Sequence, residues 1–300
     1  MESLQPLHEY LARKRQIVDR ALEKCLPNTA TQPSLLHEAM RYSVFAGGKR
    51  LRPIMLLMTA EMLGQDCQTV AFAGAALELI HTYSLIHDDL PAMDDDDLRR
   101  GKPTNHKMYG EAMAILAGDA LLTLAFQTIT DPHYMRVCDP PALLAATREL
   151  SVAAGSSGMV GGQVLDVQSE GKPITKQQLE EIHRKKTGKM FSAAVRLGAI
   201  LSEATAPQFE AVSAYGRHIG LAFQIVDDIL DLEGNVEELG KHPRQDLQHK
   251  KATYPALYGL EQSKNMAQQL LVRAKQSLSL FGERARYLGV LADFMGSRTS

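Results

Sequence analysis

Cysteine is scarce: three residues in 300, at 25, 67 and 138, with no CxxC pair. That spacing offers neither a disulfide framework nor a thiolate zinc site, and it suits a reducing compartment with buried or free thiols. Net charge is nearly absent at −2. Without a general basic field, a nucleic-acid partner is not expected. No apolar run approaches the roughly 20 residues that span a bilayer. Arg196 interrupts 190–201 and Asp119 interrupts 112–126. The opening residues, MESLQPLHEYLARKRQ, hold no apolar stretch of signal type. The expectation is a soluble, cytoplasmic protein with no stable membrane insertion. Period-two alternation is also scarce, so strands are not expected. No serine–histidine–aspartate or cysteine–histidine arrangement is read, which fits chemistry that needs no classical base.

What is present is apolar and helical. Apolar residues make up 45% of the chain. Leu4, Leu7, Leu11, Val18, Leu22 and Cys25 follow steps of three and four, which predicts an amphipathic first helix. Further helices are expected over 34–45, from Arg52-Pro53 to 63, and over 70–89, 108–129, 141–156, 174–202, 207–232, 252–280 and 284–295. Residues 157–166 hold Gly158, Gly161 and Gly162, where another backbone or a ligand can approach closely. A charged loop is expected over 234–251. No repeat or linker divides the chain, so residues 1–300 are expected to form one domain, an all-α single large helical bundle.

Two acidic runs end apolar segments. HTYSLIHDDLPAMDDDDLRRGKPTNH, residues 81–106, places six aspartates within ten residues and then Arg99 and Arg100. Pro91 disfavours helix at Leu90, so Asp88 and Asp89 sit at a helix C-terminus. The helix dipole already places negative charge there, so a cation is needed. The second run is DDILD, with Asp227, Asp228 and Asp231. Asp227 and Asp231 are four apart and share one face. Either run alone reads equally as solvated loop. Two of them on facing helices predict a cage of carboxylates. An oxygen-only donor set suits Mg²⁺, and a di- or triphosphate-like ligand would bridge several such ions.

The cations fall in three places. Gly47-Gly48-Lys49-Arg50-Leu51-Arg52 lacks the GxxxxGK[ST] spacing of a P-loop. It reads either as an anion site at a helix start or as an ordinary capping turn. Lys185, Lys186 and Lys189 bracket Thr187-Gly188, which is either a solvated face or a phosphate contact. Lys241, Lys250 and Lys251 follow the second acidic run and could close over a charged ligand. His81 and Ser84 lie seven and four residues before Asp88, on about its face; a lone histidine is otherwise a core residue.

HDDLPAMDDDDLRRGKPTNH and QIVDDILD resemble the two aspartate-rich motifs of short-chain trans-isoprenyl diphosphate synthases, and GGKRLRP, KKTGK and ATYPALYG agree with them. The similarity spans nearly the whole chain, and bacterial farnesyl diphosphate synthases are the nearest group. The resemblance implies an all-α bundle around a deep central cavity, usually a homodimer. It implies about three Mg²⁺ ions, with Mn²⁺ as a possible substitute: Asp88 and Asp94 hold two with Asp89 in support, and Asp227, with Asp228 and Asp231 nearby, holds the third. Arg99, Lys186, Thr187, Gln224 and Lys241 match contacts to an allylic diphosphate. Lys49, Arg52, His81 and Arg100 match the isopentenyl diphosphate site. Tyr83, with Ser84 beside it, matches the position that limits product length, although a buried tyrosine between helices serves packing equally well. Arg244-Gln245 stands where similar chains carry Gly-Ser. A geranylgeranyl diphosphate synthase and, more remotely, a class I terpene cyclase share parts of this pattern.

Overall fold

The structure, a computed structural model, describes residues 5–233 and 252–297. Its helices are α1 (Gln5–Cys25), α2 (Ser34–Val44), α3 (Leu51–Met62), α4 (Cys67–Asp88), α5 (Asn105–Tyr109), α6 (Glu111–Ile129) and α7 (Pro140–Ala154). They continue with α8 (Met159–Ser169), α9 (Lys176–His183), α10 (Lys189–Leu201), α11 (Ala206–Glu233), α12 (Tyr254–Tyr258), α13 (Leu260–Ser277) and α14 (Arg286–Gly296). The expected all-α bundle is what forms.

Local chemistry sets the boundaries. Asp66 caps α4 by accepting the Gln68 N–H at 3.2 Å. Thr175 and Gln178 form a reciprocal capping box on α9. Asp139 caps α7 one residue before Pro140, whose fixed φ suits a first turn. α1 buries Leu7, Val18 and Leu22 from the spacing read in its sequence, and Tyr10 in addition, while Leu11 and Cys25 are half-buried. α4 is buried almost all round. Each fully buried leucine or isoleucine there, such as Leu77, Leu79 and Ile80, contributes about 1.5–3 kcal/mol. α4 packs on α3 and α6, and α11 packs on α10 and α13. One core cluster runs from Tyr10 to Met295. A smaller one gathers Leu179, Ile225, Ile229 and Tyr254 behind the second acidic run.

Four expectations need correction. The helix expected over 108–129 is broken at Gly110, whose φ of 85° suits glycine, and the one over 252–280 is broken at Gly259, with φ 81°. A two-residue hairpin exists: β1 (Leu98–Arg99) pairs antiparallel with β2 (Lys102–Pro103). Finally, α4 and the stretch Glu111–Arg136 are long and apolar enough, by length and composition, to cross a membrane. The apolar window within α4 is 78% buried, which makes α4 a core helix, whereas only 39% of the second window is buried. Mean hydropathy over the helix, rather than an uninterrupted apolar run, meets that criterion. The charged loop expected over 234–251 lies outside the described residues.

Candidate active site

The GGKRLRP turn is shaped by its glycines and by one buried arginine. Gly47 and Gly48 have φ of 109° and 110°, which side chains rarely adopt. Gly48 also leaves room for Arg100: an added Cβ would stand 2.5 Å from the guanidinium carbon. Arg100 Nη1 donates to the Gly47 carbonyl. Arg50, one of the three cations read as an anion site, turns inward instead. Its Nε donates to Asp19 at 3.0 Å, Nη1 to Glu78 at 2.9 Å and Nη2 to the Val44 carbonyl at 2.6 Å. Arg50 is therefore the clamp that holds the turn. Arg50→Met leaves Glu78 buried without its partner and should cost about 3–5 kcal/mol. Chemical denaturation measures this, and a loss under 1 kcal/mol would contradict the assignment.

Arg52 and His81 do come together. Arg52 Nη1 and His81 Nε2 lie 3.4 Å apart. Arg52 also stacks over the Phe191 ring at 4.7 Å. Its Nε is buried with no hydrogen-bond partner among the described residues, a donor prepared for an incoming acceptor. Burial pulls Arg52 down to about 10, against the attraction of Glu78 and Asp227. That attraction puts Asp227 of α11 within electrostatic reach of α3. His81 is held well below its ordinary value, first by burial and then by Arg52, Arg100, Arg99 and Arg50. It is neutral at pH 7 amid four arginines, an environment that favours an anion.

The first acidic run folds back on itself. The Asp94 N–H donates to the Asp88 carbonyl at 2.8 Å, which brings the two carboxylate-bearing residues to one turn. Asp89 differs from Asp88: it is buried and accepts from Arg99 Nε at 2.9 Å. Burial pushes the Asp89 carboxyl up to about 6, with Arg99 pulling it back. Arg99 also donates to Asp96 at 3.1 Å. Among the described residues, no three acidic, histidine or cysteine side chains converge as a preformed metal cage, so the expected cage of protein carboxylates does not stand ready-made. The donor set still fits Mg²⁺, which is commonly held by one or two carboxylates while substrate phosphates complete its shell.

Lys186 and Thr187 lie on a π-helical turn, Arg184–Gly188, between α9 and α10. Such turns recur at functional sites because they push one residue outward. The turn is pressed from both sides by glycines. A Cβ on Gly162 of α8 would overlap the Lys186 backbone nitrogen, and one on Gly220 of α11 would meet Gly188 Cα at 3.0 Å. The close approach read from the glycine-rich stretch is therefore a backbone contact. Lys186 Nζ is held by Asp166 at 2.6 Å. Thr187 Oγ1 donates to Gln224 Oε1 at 2.7 Å, which ties the turn to α11.

A cavity of about 580 Å³ joins these parts. Arg52, His81, Tyr83, Ser84, Asp88, Lys186 and Thr187 line it, with an apolar wall from Met159, Val160, Val164 and Val167. One end carries charge and the wall is hydrocarbon-like. Tyr83 is buried, and its ring meets His87 edge-on at 5.7 Å. Burial first, then Asp88, push its phenol up to about 12. His87 is held by the Ile115 carbonyl at 3.1 Å, in a slot open only because residue 118 is glycine.

His183, just before the π turn, is buried and pushed down to about 4, chiefly by burial. Its folded pKa lies below the unfolded value near 6.5, so the unfolded chain takes up the proton first. Stability is full above about pH 6.5 and falls by about 3 kcal/mol as the pH drops towards 4. His183→Phe should flatten that profile in denaturant titrations between pH 4.5 and 7; an unchanged profile would contradict the assignment.

This constellation has counterparts. The polyprenyl synthetase sequence profile matches residues 33–280. The chain belongs to the polyprenyl synthetase family. It is an enzyme, and the family is one of trans-prenyltransferases. Farnesyl diphosphate synthase of Geobacillus stearothermophilus is 51% identical over 86% of each chain. A chloroplastic geranylgeranyl pyrophosphate synthase large subunit of Arabidopsis thaliana is 43% identical over 96% of this chain and 78% of its own. An FPP/GFPP synthase crystal structure from Zymomonas mobilis superposes with a TM-score of 0.87 at 38% identity, covering 98% of this chain and all of that one.

In this synthetase the structure brings together Arg52, His81, Tyr83, Ser84, Asp88, Lys186, Thr187 and Gln224. Lys49 is exposed beside the turn. Lys241, Lys250, Lys251 and Arg244-Gln245 lie outside the described residues. Sequence reading missed Arg50 and Glu78 as a clamp, Asp166 as the partner of Lys186, and His87 with Gly118 behind Tyr83. Asp166 had a signal: Gln163 and Asp166 are three apart on one helix face, beside the flagged glycines.

Proposed function

We propose that this synthetase condenses isopentenyl diphosphate with dimethylallyl and then geranyl diphosphate, and stops at (2E,6E)-farnesyl diphosphate. The observation that carries the reading is the cavity itself, with Arg52, His81, Asp88, Lys186 and Thr187 at its charged end and Tyr83 in its wall. Asp88, Asp94 and Asp227 would hold magnesium, with Asp89 kept in place by Arg99. When bound, magnesium neutralises charge on the departing diphosphate. Arg99, Lys186 and Lys241 hold the allylic diphosphate, and Thr187 with Gln224 lies against the same substrate. Lys49, Arg52, His81 and Arg100 hold isopentenyl diphosphate; the allylic C–O bond ionises, and the double bond of isopentenyl diphosphate then attacks the allylic cation. The proton then leaves to the released diphosphate, so no separate base is required. A class I cyclase has no use for the second cation group around Arg52 and His81.

Product length is assigned to Tyr83. It precedes Asp88 by five residues, about 7.5 Å along the helix axis. Tyr83→Ala is expected to shift product from C15 to C20, read by chromatography of the dephosphorylated prenols; unchanged C15 product would remove Tyr83 from the role. A C20 product from the wild type is the second reading, favoured by the similarity to the geranylgeranyl enzyme. Ile115 and Leu116 of α6 are about half exposed, at 45% and 53%, an apolar face suited to a second copy of the chain in a cytoplasmic homodimer. Geranyl and isopentenyl diphosphates mixed with protein and Mg²⁺ should release diphosphate and yield farnesol after phosphatase. No diphosphate release would end the reading.

A further inference from the structure

Asp228 stands in the second acidic run, but its surroundings differ from those of Asp227. It is buried, with 3% of its surface exposed, while Asp227 is half-buried. Both of its oxygens meet protein N–H groups. Oδ1 accepts from Gln224 Nε2 at 3.0 Å, and Oδ2 accepts the Tyr254 backbone N–H at 2.9 Å. Beyond Gln224, Thr187 Oγ1 donates to Oε1 at 2.7 Å.

These bonds have a direction. A carboxylate has no proton to give, so the amide nitrogen of Gln224 must face Asp228 and the amide oxygen must face Thr187. A hydroxyl has one proton, and that of Thr187 is committed to Gln224. Its lone pairs are left for the cavity that Thr187 lines.

We propose that Asp228 is a positioning residue, which acts through Gln224 to fix the Thr187 hydroxyl so that oxygen lone pairs, and not a proton, face the allylic carbon where positive charge develops. This rests on the prenyl-transfer reading above. It separates Asp228 from the ion-holding role that its sequence neighbours suggest. The three groups form one relay: Asp228 orients the amide, and the amide orients the hydroxyl.

Asparagine at 228 tests the relay. It can still accept from Tyr254, but its Nδ2 then meets Gln224. The amide must turn over, and the Thr187 hydroxyl loses its acceptor. Asp228→Asn should lower kcat by about 10- to 100-fold, with the KM for isopentenyl diphosphate unchanged. Thermal stabilisation by Mg²⁺ with inorganic diphosphate should persist in Asp228→Asn and be lost in Asp227→Asn. Gln224→Met should show the same fall in kcat, and adding Asp228→Asn to it should change little, because residues acting as one unit are not additive. Gln224→Glu keeps an acceptor towards Thr187 and, protonated on the side facing Asp228, should lose less kcat than Gln224→Met; it carries the test if Asp228→Asn does not fold. The proposal is overturned if Asp228→Asn abolishes the Mg²⁺–diphosphate stabilisation, if the two losses multiply, or if Gln224→Glu is as slow as Gln224→Met. Wild-type protein that forms no prenol overturns the prenyl-transfer reading, and this proposal with it.

Discussion

Asp88→Ala and Asp227→Ala are each expected to slow condensation roughly a thousandfold or more, about 4 kcal/mol of lost transition-state stabilisation. The two residues sit on different helices, α4 and α11, and are proposed to serve one leaving group. Asp88 lines the charged end of the cavity, and Asp227 is felt by Arg52 in the same region. Among the described residues neither is part of a ready-made protein cage, so each is expected to contribute most when the diphosphate is present. The loss should therefore fall on kcat at saturating substrate, with little effect on melting temperature. Steady-state kinetics at several Mg²⁺ concentrations checks this. Turnover within tenfold of wild type for either variant would contradict the assignment.

Gly48→Ala is expected to have the next largest effect. Two costs coincide at this position. The backbone φ of 110° is one that an L-side chain rarely adopts, and the new methyl would strike the Arg100 guanidinium. Strain of this kind costs about 1–3 kcal/mol, and the displaced arginine is one of the four groups assigned to isopentenyl diphosphate. Catalytic efficiency towards isopentenyl diphosphate should fall roughly a hundredfold, while the KM for geranyl diphosphate stays within a few-fold. Equal losses towards both substrates would show that Gly48 supports the whole cavity and not one half of it.

Much of the architecture was readable because helical periodicity and local caps agree with the packing. Leu7, Val18 and Leu22 on α1 are buried as their spacing requires. Asp88 ends α4 where Pro91 demands a bend. The breaks at Gly110 and Gly259 were not read, since a single glycine within an apolar pattern is compatible with a continuing helix. Arg50 shows a different limit. In sequence it is one cation of three in Lys49-Arg50-Leu51-Arg52. Only the fold brings Asp19 and Glu78, from α1 and α4, onto its guanidinium. Asp89 and Asp228 make the same point for the acidic runs. Each looks equivalent to its neighbour in sequence, yet each turns towards protein donors, Arg99 in one case and Gln224 with Tyr254 in the other. Spacing identifies which residues share a region, while the direction each side chain takes is decided by contacts far away in the chain.

The most direct test of the central claim is a crystal structure with Mg²⁺ and a non-ionisable allylic diphosphate analogue. The prediction is one diphosphate bridged by ions whose protein ligands include Asp88 from α4 and Asp227 from α11, with the prenyl tail running past Tyr83. Ions held by only one of the two acidic runs, or a diphosphate bound away from both, would contradict it.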